Sequence, residues 1–409
     1  MDLISTNVLQ RLQESEDQRK ARIAEVWAAY DGEMKAPLIV KANEPDDNVI
    51  FPMVAKFIDT GVNFLFGRDV DFQSDDARVD QLIAAAWGGG YAAGELQMLT
   101  LGKIATNGGL AGHTFVKLAP QTKDYTRLIN LDPQNMEVTW DQEDFEQVER
   151  YRYQWTIIKR DSLDRPSPAV RRQDTVRGEN NWEVIDSISD AGDGRFKEIG
   201  RVIWPYPFAP IVDSQNLPVP NEYWGRGDLD GGLIQINDAL NSVISDVRKI
   251  LRYHASPTTV VHGATEDDGL ATGPAAVVYM PEADQSLERV EMKGDLKSSL
   301  EMYRTLKETL HTLASVPEVA TGRIDNIGQL SGRAMQILYG PLIDQNNTKR
   351  RTYGHLINEI NRRVLQIAGQ PAEKAPAIVW PEALPVDVLD ERLALESDQR
   401  MGVVSKSTI

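Results

Sequence analysis

No cysteine occurs among the 409 residues, which removes disulfides, thiolate nucleophiles and cysteine-based zinc sites together. That fits a reducing compartment. Also missing is any run near the ~20 apolar residues that cross a bilayer. The opening residues, MDLISTNVLQRLQESEDQRK, carry acids where a secretory signal needs a basic and then an apolar stretch. These absences predict a soluble protein made in a cytoplasm. An excess of positive charge is lacking too. Lys and Arg number 44 against 61 Asp and Glu, a formal charge of −17. A protein that wraps DNA by neutralising phosphates is basic, at least locally, so a free-standing DNA clamp is a poor reading. What is present is ordinary for a globular chain. Hydrophobic residues make up 41% and charged residues 26%, enough to exclude a wholly disordered chain, and the length predicts two to four structural units.

Recognisable catalytic patterns are scarce. His113, His254, His262, His311 and His355 stand in no metal-ligand spacing. Around Gly102-Lys103, Gln97 sits where a phosphate-binding loop needs its first glycine, and Ile104 where it needs Ser or Thr. In Gly328-Gln-Leu-Ser-Gly332 the serine falls one position late for a nucleophile elbow. Glu266, Asp267 and Asp268 read as a solvated turn, with a divalent-ion site as the alternative. No cofactor and no metal are expected. Two other function classes stay open on the residues alone. One is a metal-dependent, phosphate-handling enzyme built on Asp141, Glu143 and Asp144. The other is a cytoplasmic coiled-coil scaffold or adaptor.

Periodicity organises the chain as α+β. Residues 5–30 read as a surface helix, 36–41 as a short strand, and 49–66 as a buried helix stopped by Gly67. A strand at 70–72 and a helical region at 77–106, broken at Gly88-Gly89-Gly90, follow. Two-residue alternation then predicts strands at 114–118, 126–129, 136–140, 148–158, 182–185 and 196–203. The last two flank a hairpin signal at Asp193-Gly194. Residues 204–224, with Pro205, Pro207, Pro210, Pro218 and Pro220, read as loop.

The clearest pattern comes next. Leu229, Leu233, Ile236, Leu240, Val243, Val247 and Ile250 alternate spacings of four and three, a coiled-coil-like seam on one helix. Ser256-Pro257 ends it. A small β unit occupies residues 258–294. A second seam then runs through Leu296, Leu300, Tyr303, Leu306, Leu310 and Leu313. Two such helices around a compact β excursion are predicted to lie side by side with the β unit at the far end. Residues 315–330 form a long loop of the functional kind. A long helix from about 331 to 368 carries Gly340-Pro341, where a kink is expected. A strand at 377–380 and a helix at 386–400 close the chain.

Several local motifs, in this order, resemble the portal proteins of long-tailed bacteriophages. Asn63-Phe-Leu-Phe-Gly67-Arg-Asp-Val70 is similar to the family's "FLFG-x-x-V" signature. Pro207-Phe-Ala-Pro210-Ile-Val212 and Tyr223-Trp-Gly225-Arg-Gly-Asp-Leu229 resemble the segment leading into the first stem helix, and Ile236-Asn-Asp-Ala-Leu-Asn241 its beginning. Leu330-Ser331-Gly332-Arg-Ala334-Met335 is similar to the family's "SGxAL" start of the long kinked helix, and Met401-Gly-Val-Val-Ser405 to its "GxxS". The chain departs mildly at Gly227, where serine is common, and at Met335, which replaces leucine.

The resemblance implies a ring-forming portal fold: an α/β wing, a two-helix stem, a small β-rich clip, a tunnel loop and the long kinked helix. The wing would occupy 1–228, the stem helices 229–254 and 294–314, the clip 255–293 and the tunnel loop 315–331. Residues 332–409 would complete the wing and a minimal crown. Leu233, Leu240, Val247, Leu300, Leu306 and Leu313 would bury between stem helices and between subunits. Ile324, Asp325, Asn326, Ile327 and Gln329 would face the DNA channel, and Glu266, Asp267 and Asp268 would meet partners at the clip. Arg248, Lys249 and Arg252 would either ring the channel or pair with acids between subunits. The implied function is non-enzymatic. A ring, typically of twelve copies at one capsid vertex, conducts double-stranded DNA without sequence specificity during packaging and ejection. Its implied partners are the terminase large subunit, a head–tail adaptor and the major capsid or scaffolding protein, with no membrane involved. Twelve copies at −17 carry −204 formal charges, so DNA would slide rather than stick.

Overall fold

The computed structural model describes residues 2–42, 45–89, 95–141, 143–160, 164–190, 194–255, 258–262, 286–290, 296–322 and 332–382. Helix α1 (Asp2–Tyr30) leads to an irregular segment and then to α2 (Met53–Phe66). Residues 36–41, expected as a strand, are turn and coil, and Ile39 is 92% exposed. With no neighbouring strand to take its backbone groups, β-propensity alone does not make a strand. α2 buries Val54, Phe57, Ile58, Leu65 and Phe66 and belongs to both hydrophobic clusters of the chain.

Strand β1 (Asp71–Gln73) and helix α3 (Ala77–Trp87) follow, the helix capped by Asp76, whose carboxylate accepts the Arg78 N–H. Helix α4 (Glu95–Ala111) runs one turn beyond its expected end. The strands β2 (His113–Thr122), β3 (Tyr125–Leu131) and β9 (Ile211–Gln215) make a three-stranded sheet in the order β3-β2-β9. A meander of β4 (Met136–Trp140), β5 (Val148–Arg160), β6 (Pro166–Arg177), β7 (Trp182–Asp190) and β8 (Lys197–Trp204) makes a five-stranded antiparallel sheet.

Two of these strands were not expected. β6 hides behind Pro166 and Pro168 and a run of Arg and Asp. Both prolines pair only with β5, beyond the point where β7 begins to pair at Ala169, so their missing N–H groups fall at an edge. β9 sits inside the proline-rich stretch and is claimed by the edge of β2.

Helix α5 (Leu233–Ala255) starts four residues after Leu229, because Gly231 and Gly232 have φ of +92° and +87°, outside the right-handed helix. Beyond it, β10 (Thr258–His262) pairs antiparallel with β11 (Ser286–Val290), and helix α6 (Leu296–Leu313) returns to pack along α5. Helix α7 (Gly332–Ile367) is 36 residues long with Pro341 inside it. It crosses α2, α3 and β9, contributing Tyr353, Leu356, Ile357, Ile360 and Val364 to the main core. Strand β12 (Ala377–Val379) pairs with β1 and closes the chain onto its first third. The expected helix at 386–400 and the 401–405 motif lie outside the described residues.

Candidate subunit and channel interface

The two seams differ in what they bury. On α5, Leu233, Leu240 and Val247 are 1%, 0% and 4% exposed within the single chain. These three are already buried within the single chain, before any neighbour is added. On α6, Leu306 is half-buried, while Leu300 and Leu313 remain 43% and 54% exposed, as does Met302 at 50%. Of the two seams, α6 is the one with leucines still facing water; on α5 the exposed Leu251, at 51%, lies off the seam.

The polar residues of α5 were missed by the apolar pattern. Asn237, Asn241 and Ser245 are fully buried at a four-residue spacing, and their side chains take the backbone of residues 49–53. Past them, Arg252 donates from Nε and Nη2 to Asp47 Oδ2 at 2.8 and 2.5 Å and from Nε to Oδ1 at 3.1 Å, and Arg248 donates to the Asn48 carbonyl. These two arginines were expected to ring a channel or pair between subunits. Arg252 instead pairs within its own chain.

The end of α6 is tied down by His311. Its Nδ1–H donates to the Val316 carbonyl at 2.8 Å, and its ring meets Phe57 edge-on. Lys307 pairs with Glu318 at 2.8 Å, and Ser315 (φ +57°) and Gly322 (φ +100°) turn the chain. Ile324, Asp325, Asn326, Ile327 and Gln329 lie outside the described residues, as do Glu266, Asp267 and Asp268. At the start of α7, Tyr339 stacks on Phe64 with 9° between ring planes, Leu342 is buried, and Pro341 faces solvent.

A buried polar junction sets α7 against the lead-in to α5. Lys349 Nζ lies 2.5 Å from Asp228 Oδ2, with the two side chains only 5% and 8% exposed. Asn216 donates to the other Asp228 oxygen at 2.8 Å and accepts the Tyr353 hydroxyl at 2.9 Å. The approach requires glycine on α4. A Cβ at Gly108 would fall 2.0 Å from the Tyr353 hydroxyl, and one at Gly109 2.9 Å from Asp228. Burial and the Asp228 charge push the Tyr353 hydroxyl well above its usual pKa.

A second buried cluster joins the two larger sheets. Asp213 accepts Tyr151, Tyr223 and His113 at 2.6, 2.7 and 2.9 Å. Burial alone would raise the Asp213 carboxyl, but its bonds and charge interaction with His113, helped by the two tyrosines, hold it below the usual carboxylate range. Burial and then the Asp213 charge push both tyrosines well above theirs.

The acidic trio read as an alternative enzyme site has a local use. Asp141 accepts the Glu143 and Asp144 amides, and Asp144 accepts the Glu146 amide, as turn-forming acids do. Among the described residues, no group of three or more His, Asp or Glu is placed to hold a metal ion.

The family model described as "Phage portal protein, SPP1 Gp6-like" matches residues 231–409. No curated protein matches the sequence. Among solved structures, the chain is similar to one in the neck of an empty gene transfer agent particle computed with C6 symmetry. Identity is 12%, the TM-score 0.50, and 88% of each chain is covered. A chain of the virion of a native gene transfer agent particle is also 12% identical, with a TM-score of 0.49 over 94% of this chain and 91% of that one. One from the neck of the native particle computed with C12 symmetry is 12% identical, with a TM-score of 0.47 over 86% and 87%. At 12% identity, the likeness to the empty-particle neck is one of fold. Helices α5 and α6, the strand pair between them and the long α7 fall within the matched segment, and residues 231–409 are similar to phage portal proteins of the SPP1 Gp6-like kind.

Proposed function

We propose that twelve copies of this chain form a ring at one vertex of a capsid and conduct double-stranded DNA during packaging and ejection. In this reading residues 1–228 are the wing, α5 and α6 the stem, 255–293 the clip, 315–331 the tunnel loop, and 332–409 the remainder of the wing and any crown. The observation that carries the proposal is the unit α5–β10–β11–α6 followed by α7, lying inside the segment that matches the portal family. Leu300, Met302 and Leu313, exposed on α6, supply apolar area of the kind a neighbouring copy covers. The formal charge of −17 per copy and the pairing of Arg252 with Asp47 weaken any electrostatic trap for passing phosphates. The chain itself hydrolyses nothing. The packaging motor, with its terminase large subunit, and later a head–tail adaptor dock at the clip, and capsid or scaffolding protein meets the wing. The ring assembles in the host cytoplasm and remains in the virion.

Sedimentation velocity on wild type and on Leu300→Asp/Leu313→Asp tests the interface. Wild type is expected as one large species and the variant as a folded small one. An equally large variant would place the subunit contact elsewhere.

A further inference from the structure

Residues 47–53 cross α5 in the opposite direction and meet it through α5 side chains rather than through a sheet. Asn237 accepts the Met53 N–H at 3.1 Å and donates to the Phe51 carbonyl at 2.9 Å. Asn241 accepts the Phe51 N–H at 3.0 Å. Ser245 accepts the Val49 N–H at 2.9 Å and donates back to the Val49 carbonyl at 3.3 Å. The repeat is geometric. Four helical residues rise about 6.0 Å, and two residues of extended chain advance about 6.6 Å, so rungs at 237, 241 and 245 match 53, 51 and 49. Beyond the last rung the contact changes character, to the Arg252–Asp47 ion pair and the Arg248 bond to Asn48.

Asn237, Asn241 and Ser245 are buried, so each lost rung would strand polar groups away from water. The charged end is different. Asp47 is itself only 6% exposed, but Arg248 and Arg252 are 55% and 32% exposed, and lifting the strap puts the Asp47 carboxylate as well as the arginines into water. Opening is therefore cheapest at Asp47 and dearest at Met53, where α2 begins.

We propose that residues 47–53 are a directional latch. It is closed by Asp47 on Arg252 at the far end of α5, next to β10, and it unzips toward α2, so that the state of that far end is passed to the start of α2. Asn237, Asn241 and Ser245 act as positioning residues that hold the strap.

Amide hydrogen exchange of the intact chain, followed at Val49 and Phe51, tests this in whatever oligomeric state the protein adopts. Each of these N–H groups is bonded to an α5 side chain, so its exchange reports its own rung. Asp47→Asn is expected to speed exchange at Val49 by about tenfold or more and at Phe51 by less than about threefold, with Ile58 and Ile104 in the core unchanged. Arg252→Gln should reproduce that pattern, and the double variant should add little to either. In wild type, raising the salt should speed Val49 ahead of Phe51. Equal acceleration of Val49 and Phe51, or no acceleration at either, overturns the latch. So does full protection of Phe51 in Asn241→Ala. None of these readouts involves DNA or a ring, so failure here leaves the portal reading standing.

Discussion

Replacing Lys349 by Met probes the junction between α7 and α5 most sharply. Methionine keeps most of the aliphatic stem, so little cavity forms, but Asp228 is left as a carboxylate 8% exposed, supported among side chains by Asn216. Breaking one side of a buried pair costs about 3–5 kcal/mol, because the remaining charge has neither water nor a counterion. An exposed pair would cost about 1 kcal/mol or less. Urea unfolding at neutral pH, read as a midpoint shift at constant slope, separates the two cases. The double variant Lys349→Met/Asp228→Asn removes the stranded charge and should recover at least half of the loss. A loss below about 1 kcal/mol in the single variant, or no recovery in the double, would refute the reasoning that the pair is desolvated and mutually dependent.

Three further outcomes are expected. Tyr151, Tyr223 and Tyr353 hold their protons more tightly folded than unfolded, so the stability they lend is present below pH ~10 and lost as pH rises above it. In a spectrophotometric alkaline titration these three should stay silent until the fold gives way, while Tyr30, pushed up to about 12 by burial and by Asp59, ionises late. Early ionisation of all twelve tyrosines would contradict this. Leu240→Asp places an unpaired charge where the native side chain is 0% exposed and should abolish soluble folded protein. A well-folded Leu240→Asp chain would mean the α5 seam is not closed. Pro341→Ala restores a helical donor at an exposed position and should stabilise α7 by about 1–3 kcal/mol. In a packaging assay it should impair DNA uptake more than ring assembly, and normal uptake would mean that the bend expected at Pro341 plays no part in packaging.

Much of the fold was legible because it rests on local period. The α5 and α6 seams, the buried α2 and the β2–β5 alternation each repeat over enough residues to stand out from composition. β6 and β9 were illegible for the opposite reason. Their prolines signal loop locally, and only the neighbouring strands β5, β7 and β2 supply the pairing that makes them strands. The apolar pattern marked Leu233, Leu240 and Val247 as sticky without saying for whom, since a stripe buried by its own chain and one buried by a neighbour have the same period. Lys349 and Asp228 lie 121 residues apart, and no spacing rule connects them. Asn237, Asn241 and Ser245 did leave a signal, a polar repeat of four along an amphipathic helix, which a reading tuned to apolar residues passes over.

In the proposed ring, copies of this chain enclose an opening wide enough for duplex DNA. End-on images of the purified protein by electron microscopy test it directly. Rotationally symmetric particles with a central hole and with α5 and α6 at their inner wall are expected, and a uniform population of solid monomers under every assembly condition would contradict the ring.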